Sequence, residues 1–380
     1  MSNDKITNEI KEEAIYCIGC GAKVQTENPE EKGYTPASAL EKGIESGQVY
    51  CQRCFRLRHY NQLEKVNSSD DEFLAMLNSI GDEDALVVNV VDIFDMHGSM
   101  IPGLHRFVGK NSVLLVGNKV DVLPRSAKKV RIQNWMLQQS HQVGLRPIEA
   151  LLVSGKKGDF IEELLQSIEK HRKGRNVYVV GVTNVGKSTV MNQIIKVATG
   201  NNEDLITTSR FPGTTLDQIK IPLDDGSFIV DTPGIYHEHQ MAHVLSAKDL
   251  NVVSPQKEIK PITFQLNPEQ TLFLGGLARF DFLSGERSSF TCYFANELKI
   301  HRTKLEKADD FYTKHVGTLL QPPTLDNVGD FPKLVRKEFN LKEASDVVFS
   351  GLGWIAVHHP AKIAAWIPEG VEVVIRKPII

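Results

Sequence analysis

No stretch of the sequence approaches the ~18–20 consecutive apolar residues of a membrane span. The first residues, Met1 to Glu9, are polar and lack the apolar core of a secretion signal. Both absences set the expectation of a cytoplasmic protein with no membrane partner. There is no excess of positive charge either. The 44 Lys and Arg stand against 47 Asp and Glu, for a net charge of −3. That balance excludes a histone-like protein binding nucleic acid by bulk charge, and DNA is not an expected partner, but it leaves a local basic face open. The 380 residues contain no internal repeat, low-complexity tract or heptad run, and with 41% hydrophobic and 24% charged residues a wholly disordered or fibrous chain is excluded. Cysteine is scarce. Four of the five fall within residues 17–54, and in a reducing compartment such a cluster points to metal rather than disulfides.

What is there divides into three regions, 1–65, 66–245 and 246–380. Turn-forming Gly and Pro separate the cysteines in the first. In the second, after an amphipathic stretch at Asp71–Ile80, apolar runs at Ala85–Val91, Ser112–Gly117, Ile148–Val153, Asn176–Gly181 and Phe228–Asp231 alternate with helical patterns at Ala127–Ser140, Asp159–Lys173 and Lys187–Thr199. Continuous Val/Leu/Ile runs separated by helices predict buried parallel strands of an α/β sheet. Asp217–Leu223 alternates instead, as an edge or antiparallel strand does. In the third region, Pro261–Leu266, Thr271–Leu283, Ser289–His301, Asp346–His358 and Lys362–Lys377 have strand character, while Leu298–Leu320 and Lys333–Glu343 read as helical. An α+β domain with an antiparallel sheet is expected there.

Gly181-Val-Thr-Asn-Val-Gly-Lys-Ser188 fits the phosphate-loop pattern G-x-x-x-x-G-K-[ST], and it follows a strand and opens a helix, as that chemistry requires. Glycines let backbone N–H groups approach phosphates, and the helix N-terminus adds partial positive charge. Gly181, Asn184, Val185, Gly186 and Thr189 belong to this cradle. Lys187 is the candidate for the β- and γ-phosphates and Ser188 for magnesium. Asp231-Thr-Pro-Gly234 closes a strand. Asp231 is placed to hold magnesium and Gly234 to donate its N–H to a γ-phosphate, with Thr215 of Phe211-Pro-Gly-Thr-Thr215 completing the metal shell. Turn chemistry is the alternative for the two threonines.

Asn118-Lys-Val-Asp121 follows another strand. A carboxylate at Asp121 accepts from the ring N–H and amino group of guanine, a donor pair that adenine lacks. The wrong base would leave a buried charge unpaired. Lys119 runs its stem along the base, and Ser154-Gly155-Lys156 offers backbone N–H groups to the keto oxygen.

These motifs resemble those of translation-factor-type GTPases, except in order. There the phosphate loop comes first and the base motifs last; here Asn118–Asp121 and Ser154–Lys156 precede Gly181–Ser188, Thr215 and Asp231–Gly234. That order resembles a circularly permuted GTPase. With four cysteines in front and an α+β tail behind, the chain resembles the YqeH-type subfamily. The resemblance implies GTP hydrolysis to GDP with Mg2+, a role in assembling the small ribosomal subunit, and that subunit or its rRNA as partner. In Ras-like members a glutamine follows Asp-x-x-Gly and orients the attacking water; here Ile235 stands there, so hydrolysis needs another source of help. Asn184 matches the asparagine that helps hold a potassium ion in potassium-stimulated relatives, which makes it a catalytic candidate beside Lys187 and Thr215; its alternative role is to cap the loop. A rival function is a nucleotide-sensing scaffold with little turnover that binds a protein or peptide.

Cys17-Ile-Gly-Cys20 and Cys51-Gln-Arg-Cys54 form two C-x-x-C pairs, and two such turns complete a tetrahedral, structural Zn2+ site; a redox pair is the alternative. Cys292 sits in an apolar strand pattern and reads as a core thiol. Three basic patches are candidates for RNA contact or for solvated surface: Arg53, Arg56, Arg58 and His59 around Phe55 and Tyr60; Lys170–Arg175; and Lys299, Arg302 and Lys304. His237, His239 and His243 follow the Asp-x-x-Gly motif, where exposure or packing competes with a catalytic role.

Overall fold

The structure, a computed structural model, describes residues 15, 23–29, 33–46, 49–52, 70–199, 207–210, 217–234 and 240–380. Cys17, Cys20 and Cys54, Thr215, Ile235, His237, His239 and the basic patch at Arg53–His59 lie outside the described residues. Cys51 is buried beside Val24 and Tyr50. Among the described residues no group of His, Cys, Asp or Glu is arranged to hold a metal, and no helix is long and apolar enough to cross a membrane.

The second region builds a seven-stranded sheet from β1 (Ala85–Asp92), β2 (Ser112–Asn118), β3 (Glu149–Leu152), β4 (Asn176–Val180), β5 (Thr207–Arg210), β6 (Asp217–Pro222) and β7 (Phe228–Asp231), in the order β3-β2-β1-β4-β7-β6-β5. The first five in that order pair parallel; β6 and β5 are antiparallel additions. Continuous apolar sequence is the cause. β1 is buried along seven of its eight residues, which only a sheet covered on both faces allows. Helices Asp70–Gly81, Lys129–Gln142, Ile161–Arg172 and Lys187–Thr199 supply the cover, through Phe73, Met136, Leu164 and Ile194 among others. The parallel strands put their C-terminal ends, and hence Asp92, Asn118 and Asp231, along one rim, where open α/β sheets bind ligands.

The C-terminal region forms two five-stranded antiparallel sheets from β8 (Ile262–Leu266), β9 (Gln270–Leu274), β10 (Ala278–Gly285), β11 (Ser288–Phe294), β12 (Ile300–Lys304), β13 (Leu334–Leu341), β14 (Ser345–Phe349), β15 (Gly353–Val357), β16 (Ala361–Pro368) and β17 (Val373–Arg376). Their orders are β12-β9-β10-β16-β13 and β17-β14-β15-β11-β8, around a core rich in phenylalanine. Two helical readings are corrected here. Lys333–Glu343 contains β13, paired with β16 along eight register positions, and Leu298–Leu320 is α-helical only at Ala308–His315, after a 3-10 turn at Leu305–Lys307. β13 is an edge strand whose exposed Arg336, Lys337 and Glu338 break the alternation that would have marked it. The run Thr271–Leu283 is a hairpin, split at Gly275, whose φ is +57° and whose hydrogen leaves room for the Gln321 carbonyl. Cys292 is a buried core thiol, and burial pushes its pKa up.

Each unit has its own core, and that of the GTPase unit takes in Tyr293, Val348, Trp354 and Ala356 of the C-terminal unit. Trp354 of β15 stacks on Tyr293 at 4.8 Å and meets Phe94 at 5.6 Å. Arg376 lies between Trp135 of the helix Lys129–Gln142 (4.8 Å) and Trp354 (5.1 Å), and its Nε pairs with the Asp346 carboxylate at 3.3 Å. On the same seam Gln240 Nε2 donates to Asp95 Oδ2 (3.1 Å) and to Gly98 O (2.7 Å), and Met241 N donates to Ser350 O (3.0 Å).

Burial, with Asp92 nearby, pushes the Asp95 carboxyl up to about 6; burial and the Arg376 charge push the His97 imidazole down to about 4. The fold therefore favours the protonated acid, and that contribution to stability is lost as pH rises from about 4 to about 6. It also favours the neutral imidazole, and that contribution grows over much the same interval. The two slopes oppose. Relative to the parent chain, His97→Asn is expected to lose stability as pH rises through this range and Asp95→Asn to gain it. Denaturant midpoints at several pH values check this; parallel profiles for the two variants would refute it.

Candidate nucleotide site

β4 ends at Val180, and the chain turns through Gly181–Gly186 into the helix that begins at Lys187. The turn requires left-handed backbone at Asn184 (φ +65°) and Gly186 (φ +80°). A Cβ on Gly186 would stand 2.4 Å from Asn118 Nδ2, so the second glycine of the motif is what lets the base loop lie against the phosphate loop. Lys187 is buried, and its Nζ donates to the Asp231 carboxylate and to the Thr232 carbonyl. The loop lysine and the candidate metal carboxylate therefore meet at one point. A phosphate on the lysine and a magnesium ion on Asp231 and the Ser188 hydroxyl would satisfy the same two charges, and this donor set of hard oxygens suits magnesium. Thr232 Oγ1 donates to Val179 O (2.8 Å) and holds the end of β7 on β4, while Gly234 faces Thr183 of the phosphate loop.

The base end is equally fixed. Asn118 Nδ2 donates to Val185 O (2.8 Å), and its Oδ1 accepts from Gly155 N (2.9 Å), tying three loops together. Lys119 Nζ donates to Asn184 O (2.8 Å) and pairs with Asp92 Oδ2 (2.5 Å). Ser154 Oγ donates to Asp121 Oδ1 (2.7 Å). In the loop Ser154–Lys157, the N–H of Ser154 donates to Asp159 O, that of Gly155 to Asn118 Oδ1 and that of Lys157 to Ser154 Oγ. Among the described residues the Lys156 N–H has no acceptor, which leaves it as the donor for a keto oxygen.

Both ends open on one cavity of about 370 Å³, lined by Asn118, Lys119 and Asp121 on one side and by Thr183–Gly186 and Thr189 on the other. Lys187 lies behind that lining, on Asp231. Sequence reasoning missed Asp92, although a carboxylate closing the parallel strand β1 was a signal for it. It also missed Asp95 and Gln240, whose contact spans 145 positions and leaves no local trace. The patch Lys170–Arg175 is corrected in part. Arg172 is buried on Glu169, Asp225 and Ser227, and Arg175 pairs with Asp84, so both serve the fold. Arg302 and Lys304 remain exposed on β12.

Residues 176–271 match the family described as 50S ribosome-binding GTPase, and residues 287–379 the family described as YqeH-like, C-terminal. Uncharacterized protein YqeH of Bacillus subtilis (strain 168) is 55% identical over 97% of this chain and 100% of its own length. The chain belongs to the YqeH family. A further YqeH relative, NO-associated protein 1, chloroplastic/mitochondrial, of Arabidopsis thaliana, is 31% identical over 95% of this chain and 75% of its own length. GNP-bound YlqF from T. maritima shares 22% identity at a TM-score of 0.31, over 49% of this chain and 66% of that one. The YqeH-family chain is a GTP-hydrolysing enzyme of P-loop fold, working on GTP with magnesium. Its permutation is visible in the sheet: β2 and β3, which carry the base motifs, precede β4 and β7, which carry the phosphate and metal motifs, yet the two sets lie in one sheet with only β1 between them.

Proposed function

We propose that this GTPase is a ribosome-assembly factor acting on the small subunit or its rRNA, with nucleotide state coupled to the C-terminal domain. The supporting observation is the cavity that Asn118, Lys119 and Asp121 share with Thr183–Gly186 and Thr189, because it gives one nucleotide contact with the base motif and with the phosphate loop that leads to Lys187 and Asp231. In this reading Asp121, Asn118, Lys119 and Ser154–Lys156 hold guanine. Gly181–Thr189 cradle the phosphates, with Lys187 on the β- and γ-groups. Ser188, Thr215 and Asp231 hold magnesium, and Gly234 donates to the γ-phosphate. Depleting the protein and profiling the subunits tests the role. Accumulated small-subunit precursors, restored by the parent chain and not by Lys187→Ala, are the expected result. A large-subunit defect would favour the second reading, raised by the 50S description of the matched family. Turnover with and without ribosomal subunits separates both from a scaffold that hardly hydrolyses.

Asn184, held left-handed at the rim of the phosphate loop, is proposed to help seat a potassium ion that supplies charge in place of an arginine finger. Hydrolysis is expected to be several-fold faster in potassium than in sodium, and Asn184→Ala to erase the difference. The four cysteines are proposed to hold structural zinc. The expected result is one zinc per chain by elemental analysis, lost in Cys51→Ser; retention of full zinc by that variant would count against the site.

A further inference from the structure

The cavity does not end at the GTPase unit. Its lining continues onto the segment leading to the C-terminal domain, through Leu250 and Asn251 of the helix Ala247–Val253 and then Ser254, Pro255 and Gln256. That segment is anchored to the base side. Lys156 Nζ donates to Gln256 O (2.9 Å), Ile259 N donates to Val122 O (2.9 Å), and Arg125 pairs with Glu258 at 3.1 Å. It is also anchored to the C-terminal domain. Ser246 caps the helix, and the buried Asp249 accepts from Ser246 Oγ (2.9 Å) and from Asn327 Nδ2 (2.9 Å).

A guanine nucleoside presents more than Asp121, Lys119 and the Lys156 N–H can read. One face of the ring needs apolar cover, and the ribose hydroxyls need partners. The linker side of the wall supplies both chemistries, next to Phe94, Val122 and Ala242, which also line the cavity. Leu250 and Pro255 are apolar, and Asn251 is exposed beside them with an amide that can donate and accept. We propose that this linker is the outer wall of the nucleoside pocket: Leu250 and Pro255 cover the ring face opposite the Lys119 stem, Asn251 bonds the ribose hydroxyls, and Gln256 is the anchor that Lys156 holds. The linker then reports an occupied pocket whatever the number of phosphates, and carries that report to Asn327; the GTP-versus-GDP coupling proposed above would start instead from Gly234, at the γ-phosphate. This rests on the guanine-nucleotide reading of the cavity.

Hydrogen exchange on the full chain tests it with GDP, a non-hydrolysable GTP analogue and pyrophosphate. GDP and the analogue are expected to protect residues 247–256 equally, and pyrophosphate to leave them unchanged. Protection by the analogue alone would overturn the proposal, as would no protection by GDP while Asn118–Asp121 is protected. Failure at Asn118–Asp121 itself would instead refute the nucleotide site. Affinities give a second readout. The parent chain is expected to bind GDP about threefold to tenfold more tightly than 2′,3′-dideoxy-GDP. Asn251→Ala is expected to abolish that ratio while GDP is still preferred over ADP. An unchanged ratio in the folded variant removes Asn251 from the ribose.

Discussion

Replacing Asp121 with Asn is expected to weaken GTP binding by roughly a thousandfold or more and to turn the pocket toward xanthosine nucleotides. Ser154 Oγ occupies one carboxylate oxygen at 2.7 Å, which fixes the group and leaves its other oxygen to read the base. Guanine brings two donors to that point. An amide would meet them with a donor of its own, and the unmatched N–H groups would be stranded in a desolvated site. Xanthine carries a keto oxygen where guanine has its amino group, so the same amide pairs with it. Titrating GTP and XTP against the parent and Asp121→Asn chains measures the exchange of preference. Equal GTP affinity for both would show that this carboxylate does not face the base.

Arg376→Leu is expected to cost about 3–5 kcal/mol of stability, because it leaves the fully buried Asp346 carboxylate without its partner. The guanidinium is itself poorly supplied. Nε pairs with Asp346, while among the described residues Nη1 and Nη2 have no hydrogen-bond partner and are flanked by Trp135 and Trp354. Burial lowers the pKa of Arg376 and raises that of Asp346, both directions in which the fold resists the charged form. The pair is thus costly to break and of little net benefit to keep. Asp346→Leu combined with Arg376→Leu is expected to recover most of the loss, measured by denaturant midpoints. Equal destabilisation by the single and double variants would contradict it.

Much of the GTPase unit was legible because the physics there is local. The helix Lys187–Thr199 has the predicted bounds, and β4 differs from its predicted run by one residue, since a buried parallel strand must be apolar throughout. The phosphate and base loops were legible because each uses residues close together in the chain. The C-terminal sheets were less so. β13 owes its form to eight residues of pairing with β16, which outweighs its weak pattern. Arg172 looked like surface charge within Lys170–Arg175, and only the meeting with Asp225, 53 positions on, shows where it goes. The linker wall was invisible for the same reason: Arg125 and Glu258 are 133 positions apart.

The tight turn at Lys173 and Gly174, with φ of +49° and +78°, joins the helix after the Ser154–Lys156 loop to β4. In the unpermuted order the chain would begin and end there. A protease nick at that turn would yield two fragments, one carrying guanine recognition and the other the phosphate cradle with the C-terminal domain. They would meet along the β1–β4 pairing and through Asn118 and Val185. GDP would then act as a rivet between separate polypeptides, and the dissociation rate of the nicked protein would read directly how much of the domain's cohesion the nucleotide supplies.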